Sequence, residues 1–386
     1  MPAAKTHSAK AVAIRIPSDR LIIWTVAILS AIGIVAVYSA ITFLAVARAG
    51  SAPESFLLRH VLRTFLALIA VVVFSRIDYH KLARISKLAL ILSIILLAGV
   101  QVVGVTIGGA ERWYRVWGVS IQPSDFARVA LLLHVSFLLA KKQLYIQDLH
   151  RSFLPLMFWV IPTLILIGME DLSSSVMLLG TFIVMAFIAR VRVLHLSSLA
   201  GVLAVCAVIF LLVSPGRASR ITSWLGVDNT AEVSDVQAEG YQAHQAKIAF
   251  AMGGILGRGP GKSVQRDFLP APYNDFIFAI VAEEYGLIGA TVLLALFCVL
   301  LFRGFLRVAR AAPDPLGFFM AIGVTTMICL YGLVNAAVAC GLFPVTGLPM
   351  PFVSYGGTSL LASGVLVGIL LNISKSAAQQ TAVVAK

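Results

Sequence analysis

The chain has 386 residues, of which 60% are hydrophobic and 12% charged, and its mean hydropathy is +0.96. A soluble domain of this length cannot hide so large an apolar share, and in lipid only helices and closed barrels satisfy their own backbone. Barrel strands would show as alternating segments of about 10 residues, whereas the apolar runs here continue for about 20, which predicts an all-α polytopic membrane protein. The net charge of +13 fits membrane topology rather than nucleic acid, because cytoplasmic flanks collect Lys and Arg.

A basic tail over 1–20 carries Lys5, Lys10, Arg15 and Arg20 and leads into a long span without a small-residue cleavage site, so it is expected to stay as an uncleaved start-transfer helix. About ten spans follow, near 21–46, 57–75, 88–106, 124–140, 153–169, 172–189, 194–213, 274–302, 315–340 and 358–374. The expected organisation is a ten-helix membrane domain over 21–374, a large extracytoplasmic loop over 214–273 between spans 7 and 8, and a C-terminal tail over 375–386. The connections RIDYHKLARISK, KKQLYIQDLHR, RVR and RGFLRVAR, with both tails, hold 18 of the 30 Lys and Arg, so positive-inside places both termini in the cytoplasm. Cys206, Cys298, Cys329 and Cys340 lie in apolar runs without metal-ligand spacing and read as small residues of helix cores.

The other 12 basic residues oppose the topological bias. Arg112 and Arg115 lie in the outer loop GGAERWYRVWG, and Arg59 and Arg63 open the second span; Arg48, at the outer end of the first, reads as an anchor. Arg128 falls inside the fourth span, and Arg217, Arg220, Lys247, Arg258, Lys262 and Arg266 populate the long connection. An anionic ligand at the outer surface would explain them, as would simple solvation of loop charges. Within that connection Tyr241, Gln245, Ile248, Met252 and Ile255 recur at helical spacing, which predicts an amphipathic helix on or in the bilayer surface. Gly253, Gly254, Gly257, Gly259 and Gly261 then break it into a tight turn.

That turn, GRGPGKS, is not a P-loop: five residues before Gly261 stands Leu256, no strand precedes it, and the topology puts it outside. Its backbone amides with Lys262 or Arg258 could still meet a phosphate. Asp275 follows LPAPYN at the mouth of the eighth span, where it reads either as a helix cap or as a general base reachable from lipid and water. Glu283 and Glu284 lie about two turns deeper, and burying them unpaired is costly, so a structural ion pair is expected, with Arg128 a candidate partner of Glu284 or Asp125. QPSDFAR and MEDLSSS open the fourth and sixth spans with Pro123, Asp125, Glu170 and Asp171. PVTGLPMPFVSYGGTS reads as a re-entrant-like loop, tolerated at that depth only when buried in protein or lining a cavity. Together these predict an outward-facing polar cavity ringed by Asp275, Asp171, Asp125 and several cations.

Three segments carry a resemblance: GAERWYRVWGVSIQPSDFAR, YQAHQAKIAFAMGGILGRGPGKSVQRDFLPAPYNDFIFAIVAEEYGLIGA and GLFPVTGLPMPFVSYGGTSLL. They resemble the SEDS family of bacterial shape, elongation, division and sporulation proteins over about residues 20–375, and look closer to the FtsW branch than to RodA. The resemblance implies a peptidoglycan glycosyltransferase in the bacterial cytoplasmic membrane, polymerising lipid II outside the cell during division. It implies work with a class B penicillin-binding protein transpeptidase and other division proteins. The family's essential Asp falls on Asp275 and its essential Trp on Trp113. Arg112, Arg128, Arg258 and Lys262 become candidates for diphosphate contact, with Gln265, Asp171 and Ser354 as further substrate-binding candidates, and Asp125 and Glu284 as the structural ion-pair group. This chain departs from the common family pattern at Asp125, at Glu170 to Ser175 and at Asn274, which touches those subsites but not Asp275. A divalent cation, Mg or Mn, bridging the diphosphate is compatible with this chemistry; no organic cofactor is expected. A lipid II flippase and a non-catalytic division scaffold are the alternatives. A flippase needs a polar path through the inner halves of the spans, which read as mostly aliphatic.

Overall fold

The computed structural model describes residues 19–47, 53–107, 110–116, 119–213, 234–269 and 271–384. The tail cations up to Arg15, together with Arg48, Arg217 and Arg220, lie outside these residues, as does the side chain of Arg112. The helices are α1 (Arg20–Ala47), α2 (Pro53–Phe74), α3 (Tyr79–Val103), α4 (Pro123–Lys141), α5 (Leu154–Glu170) and α6 (Leu172–Ile188). They continue with α7 (Val193–Val213), α8 (Ser234–Gly253), α9 (Ile277–Phe302), α10 (Pro315–Ala339) and α11 (Thr358–Val384). Among the described residues eight helices are long and apolar enough to cross a membrane, and Leu172–Ile188 and Val193–Cys206 are shorter apolar helices. These ten cover the ten expected spans, and the protein is a polytopic helical membrane protein.

The core is built around α10, α4 and α11, whose apolar windows are 78%, 72% and 72% buried, against 28% for α2, α3 and α9. Lipid is as apolar as a side chain, so helix association here rests on close packing rather than on transfer from water. Of the four cysteines only Cys329 is buried; Cys298 is half-buried, and Cys206 on α7 and Cys340, the C-cap of α10, are exposed.

Several boundaries differ from expectation. α3 begins at Tyr79 rather than at 88, inside the segment expected as a basic loop. Asp78 is its N-cap, accepting from the His80 amide at 2.9 Å, and the fully buried Tyr79 ring anchors the first turn. Tyr79 donates its hydroxyl to Asp314, the N-cap of α10, and its amide to Asn372 of α11. RGFLRVAR is likewise no loop: Arg303–Ala309 continues α9 as π-helical turns, and Arg303 reaches back to Asp19 at 2.6 Å, the carboxylate that caps α1. α11 runs on to Val384, through most of the expected tail.

GGAERWYRVWG is the other departure. Its residues 110–116 form the middle strand of a three-stranded antiparallel sheet, β1 (Val105–Ile107), β2 (Ala110–Val116) and β3 (Val119–Ile121), with Trp113 opposite Val105 and Tyr114 opposite Ile121. Tyr114 seats the sheet on α3, donating its hydroxyl to the Leu96 carbonyl at 2.9 Å over Gly99.

α8 forms where expected, with its large apolar residues outward, as a helix at the bilayer surface requires. Its buried residues are Ala246, Ala249 and Gly253, whereas Tyr241, Met252 and Ile255 are exposed. Small residues bring helices together in lipid, and the large apolar ones are left to face it. A Cβ on Gly253 would stand 2.0 Å from the Ala282 carbonyl oxygen, so α8 and α9 are in backbone contact there.

Candidate active site

Asp275 lies in the turn between Ala271 and Phe276 that leads into α9. Phe276 is the N-cap of α9 and makes no side-chain cap bond, so Asp275 stands one residue outside the capping position. The backbone of this turn is tied down from two other elements. Asn335 of α10 donates from Nδ2 to the Asp275 carbonyl at 3.0 Å and to the Leu348 carbonyl at 2.7 Å. Ser354 donates its hydroxyl to the Asn274 carbonyl at 2.6 Å, and the Tyr355 amide donates to the Tyr273 carbonyl at 2.8 Å. The Asp275 carboxylate is directed towards Gly347, where a Cβ would stand 3.7 Å from Oδ2.

The expected re-entrant segment supplies these ties. Residues 342–357 are non-helical, and Leu348, Met350, Phe352, Val353 and Ser354 are all buried in protein, the condition under which irregular backbone survives at membrane depth. Ser354 is 1% exposed and also accepts from the Met350 amide. It is a backbone tether, which corrects its expected role as a substrate contact. Aromatic packing extends the brace: Tyr355 meets the Tyr273 ring at 5.4 Å, His60 stacks on Tyr355 at 5.6 Å, and the Arg63 guanidinium lies 5.0 Å from the Tyr355 centroid.

A buried charge cluster adjoins this turn through α10. Arg128 is paired with Asp125 at 2.9 Å, and its guanidinium covers the Tyr331 ring at 4.8 Å. Tyr331 and Asn335 are four residues apart, hence neighbours on one helix face. Asp171 caps α6, accepting from the Ser174 amide and hydroxyl, and lies within electrostatic reach of Arg128. Thr358, at the start of α11, donates to the other oxygen of Asp125. Arg128 therefore partners Asp125 and not Glu284.

The glycine turn is a second platform. Gly286 interrupts α9 with φ 66° and ψ −164°, and the turn pairs with the break through four backbone hydrogen bonds. Arg258 and Gly259 donate to the Glu283 and Glu284 carbonyls at 3.0 and 2.9 Å, and Leu287 and Ile288 donate to Gly254 and Ile255 at 2.9 and 3.3 Å. Glu284 is held by the Ser39 hydroxyl and the Ser263 amide, with no cation within 4.0 Å among the described residues, which corrects the ion pair expected for it. Arg258 instead approaches Glu283 at 3.5 Å. Gln265, 4% exposed, is packed beneath the turn with its side chain on Met252, and so does not face outward as a substrate contact. Lys262 is exposed at the tip of the turn.

Trp113 is half-buried on β2, and the β3 carbonyl of Ser120 comes within 3.8 Å of a Cβ built on Gly357. The sheet thus abuts the segment joining Ser354 to Thr358. Arg112 also lies on β2. Among the described residues no three His, Cys, Asp or Glu side chains converge as a metal site. The described residues therefore offer no set of protein ligands that would hold a metal by themselves. Asn335, Tyr331, Tyr355 and His60 were missed by sequence reasoning; the only signal for the first two was a polar pair at helical spacing within an apolar span.

This chain matches the profile of the FtsW/RodA/SpoVE cell cycle proteins over residues 19–379. It is 38% identical to the stage V sporulation protein E of Bacillus subtilis, over 92% of this chain and 97% of that protein. A probable peptidoglycan glycosyltransferase FtsW of Trichlorobacter lovleyi is 37% identical over 92% of this chain and 93% of its own length. Among solved structures, one described as a peptidoglycan synthase complex that coordinates polymerization and crosslinking matches with TM-score 0.76 at 25% identity, covering 93% of this chain and 98% of that one. The rod shape determining protein RodA of Thermus thermophilus matches with TM-score 0.67 at 26% identity, over 93% and 97%. The FtsW-named relatives agree with the division-type branch expected from the motifs. This chain belongs to the FtsW/RodA/SpoVE family of cell cycle proteins.

Proposed function

We propose that the protein is a peptidoglycan glycosyltransferase that polymerises lipid II into glycan strands at the outer face of the bacterial cytoplasmic membrane during division. Both termini lie in the cytoplasm, and the partners are a class B penicillin-binding protein transpeptidase and other division proteins. The observation that carries the reading is the Asp275 turn: a carboxylate outside the cap position, on backbone fixed by Asn335, Ser354 and Tyr355. Precise fixing of a base is worth orders of magnitude in rate, because a misplacement of about 1 Å can cost about 100-fold.

In the reaction an acceptor sugar hydroxyl attacks the anomeric carbon of the donor. The new C–O bond forms as the bond to the diphosphate breaks, the electron pair leaves with the diphosphate, and the anomeric centre inverts. Asp275 takes the hydroxyl proton. Cations must meet the charge that develops on the leaving group; Lys262 and Arg63 are exposed or partly exposed basic groups beside the two platforms. A divalent cation, Mg or Mn, bound to the diphosphate would supply further neutralisation of the leaving group's charge. Trp113 offers a flat apolar surface for a sugar ring.

The test is polymerisation of labelled lipid II by the purified protein with its transpeptidase partner inactivated by a β-lactam. Uncrosslinked glycan strands are the expected product. If no strands form although the complex is folded, the enzyme reading fails and a flippase or a scaffold takes its place.

A further inference from the structure

Glu283 is 0% exposed, in a helix that would form equally well with Ala or Gln there. A buried carboxylate is tolerated only when its lone pairs are used. Among the described residues the partners of its side chain all come from one short segment, 258–265. The Ser263 hydroxyl donates at 2.5 Å, the Val264 amide at 2.9 Å and the Gln265 amide at 3.2 Å, and Arg258 approaches at 3.5 Å. These four fill the roughly four acceptor positions of a carboxylate.

Three cations in this segment are spaced by four residues, and two are committed. Arg258 faces Glu283. Arg266 donates to the Ser39 carbonyl at 2.9 Å and hydroxyl at 3.4 Å, and that same hydroxyl bonds to Glu284. Lys262, between them, is exposed, has no carboxylate within 4.0 Å among the described residues, and lies with its stem along Gly259.

We propose that Glu283 is a positioning residue that clamps the glycine turn to α9, with the partly exposed Arg258 as its counter-ion, so that Lys262, the one of the three cations without a carboxylate partner among the described residues, is presented to the diphosphate of the lipid-linked substrate. This rests on the glycosyltransferase reading. It also reassigns Arg258 from ligand contact to clamp. Glu283 touches no reacting atom and acts only through Ser263, Val264 and Gln265.

The experiment is a pair of double-mutant cycles on the full-length chain with its transpeptidase partner in nanodiscs. Lys262→Met and Glu283→Gln should each raise KM for lipid II about tenfold, as expected for the loss of one charged or charge-positioning contact. Their combination should raise it little further, because a displaced Lys262 has nothing left to lose. In thermal unfolding, Glu283→Gln with Arg258→Gln should melt higher than Arg258→Gln alone, since the single change leaves a buried charge uncompensated. Should Glu283→Gln fail to fold, Ser263→Ala removes one clamp bond without altering charge, and a rise of about threefold in KM with intact folding is expected. Melting changes without any change in KM would reduce Glu283 to a structural residue and overturn the proposal. Additive KM effects, or additive melting losses of Glu283 and Arg258, would also overturn it. A wild-type complex that makes no glycan sinks the glycosyltransferase reading and the role of Lys262 with it, while the melting cycle still decides whether the clamp exists.

Discussion

Replacing Gly286 by Ala probes the crossing that holds the glycine turn against α9. At φ 66° and ψ −164° the backbone occupies a region that is almost exclusively glycine's, and an L-residue there costs about 1–3 kcal/mol. The new Cβ would stand 2.4 Å from both the Gly257 nitrogen and the Ile255 oxygen, which are backbone atoms and cannot rotate aside. The turn must retreat, weakening four backbone hydrogen bonds worth about 1 kcal/mol each. Together the loss is about 4–6 kcal/mol, provided that most of the four bonds go. Gly261→Ala is the control. It also has positive φ, 75°, but no heavy atom lies within 4 Å of its Cβ, so its cost should be about 1–2 kcal/mol. Chemical or thermal unfolding in detergent, with intrinsic fluorescence as the probe, measures both. If Gly286→Ala is no less stable than Gly261→Ala, the close crossing is not what holds the turn.

Other expectations follow from single contacts. Ser354→Ala removes the tether to Asn274, leaving a buried carbonyl and the Met350 amide without it, and kcat should fall about 10- to 100-fold with KM nearly unchanged in the polymerisation assay. Arg128→Met leaves Asp125 buried without its cation and should lower stability by about 3–5 kcal/mol in unfolding measurements, with Asp125→Leu added to it recovering part of the loss. The Asp78 carboxyl lies below its ordinary value, chiefly because it accepts from the His80 amide. Its folded value is depressed, so its stabilisation is complete above the unfolded carboxylate range and is lost as pH falls through the folded value. Asp78→Ala should therefore melt below wild type at neutral pH, and the gap should narrow as pH falls below the unfolded carboxylate range of about 4; a gap that stays constant as the carboxyl is protonated contradicts the cap.

Much of this architecture was legible in the sequence because lipid imposes unbroken apolar runs. All ten spans could be counted that way, and Asp275 stood out as a charge at a helix mouth. The errors have physical causes. The stripe Tyr241, Met252 and Ile255 marks the face turned to lipid, as expected of a helix at the bilayer, but the packed face is written only in the small residues Ala246, Ala249 and Gly253, which periodicity of large apolar residues does not register. The segment ERWYRV has no polar/apolar alternation to announce a strand, and forms one because the neighbouring segments 105–107 and 119–121 pair with it. α3 extends past its apolar run because Asp78 and Tyr79 stabilise a first turn that hydropathy does not register. Glu283 and Glu284 look equivalent in sequence, and only the fold distinguishes the one facing Arg258 from the one facing Ser39. Asn335 could not be linked to Asp275, 60 residues away, until the turn and α10 were placed together.

The most direct measurement is lipid II polymerisation by Asp275→Asn beside wild type, each with its inactivated transpeptidase partner and each shown to be folded by its melting curve. Asn keeps the size of the side chain and the backbone ties of the turn, and removes only the proton acceptor. The predicted result is glycan strands from wild type and a loss of at least about 100-fold in the variant, in the range ascribed to a general base. Equal polymer from both proteins would contradict the account, because the fixed carboxylate would then have no part in the chemistry.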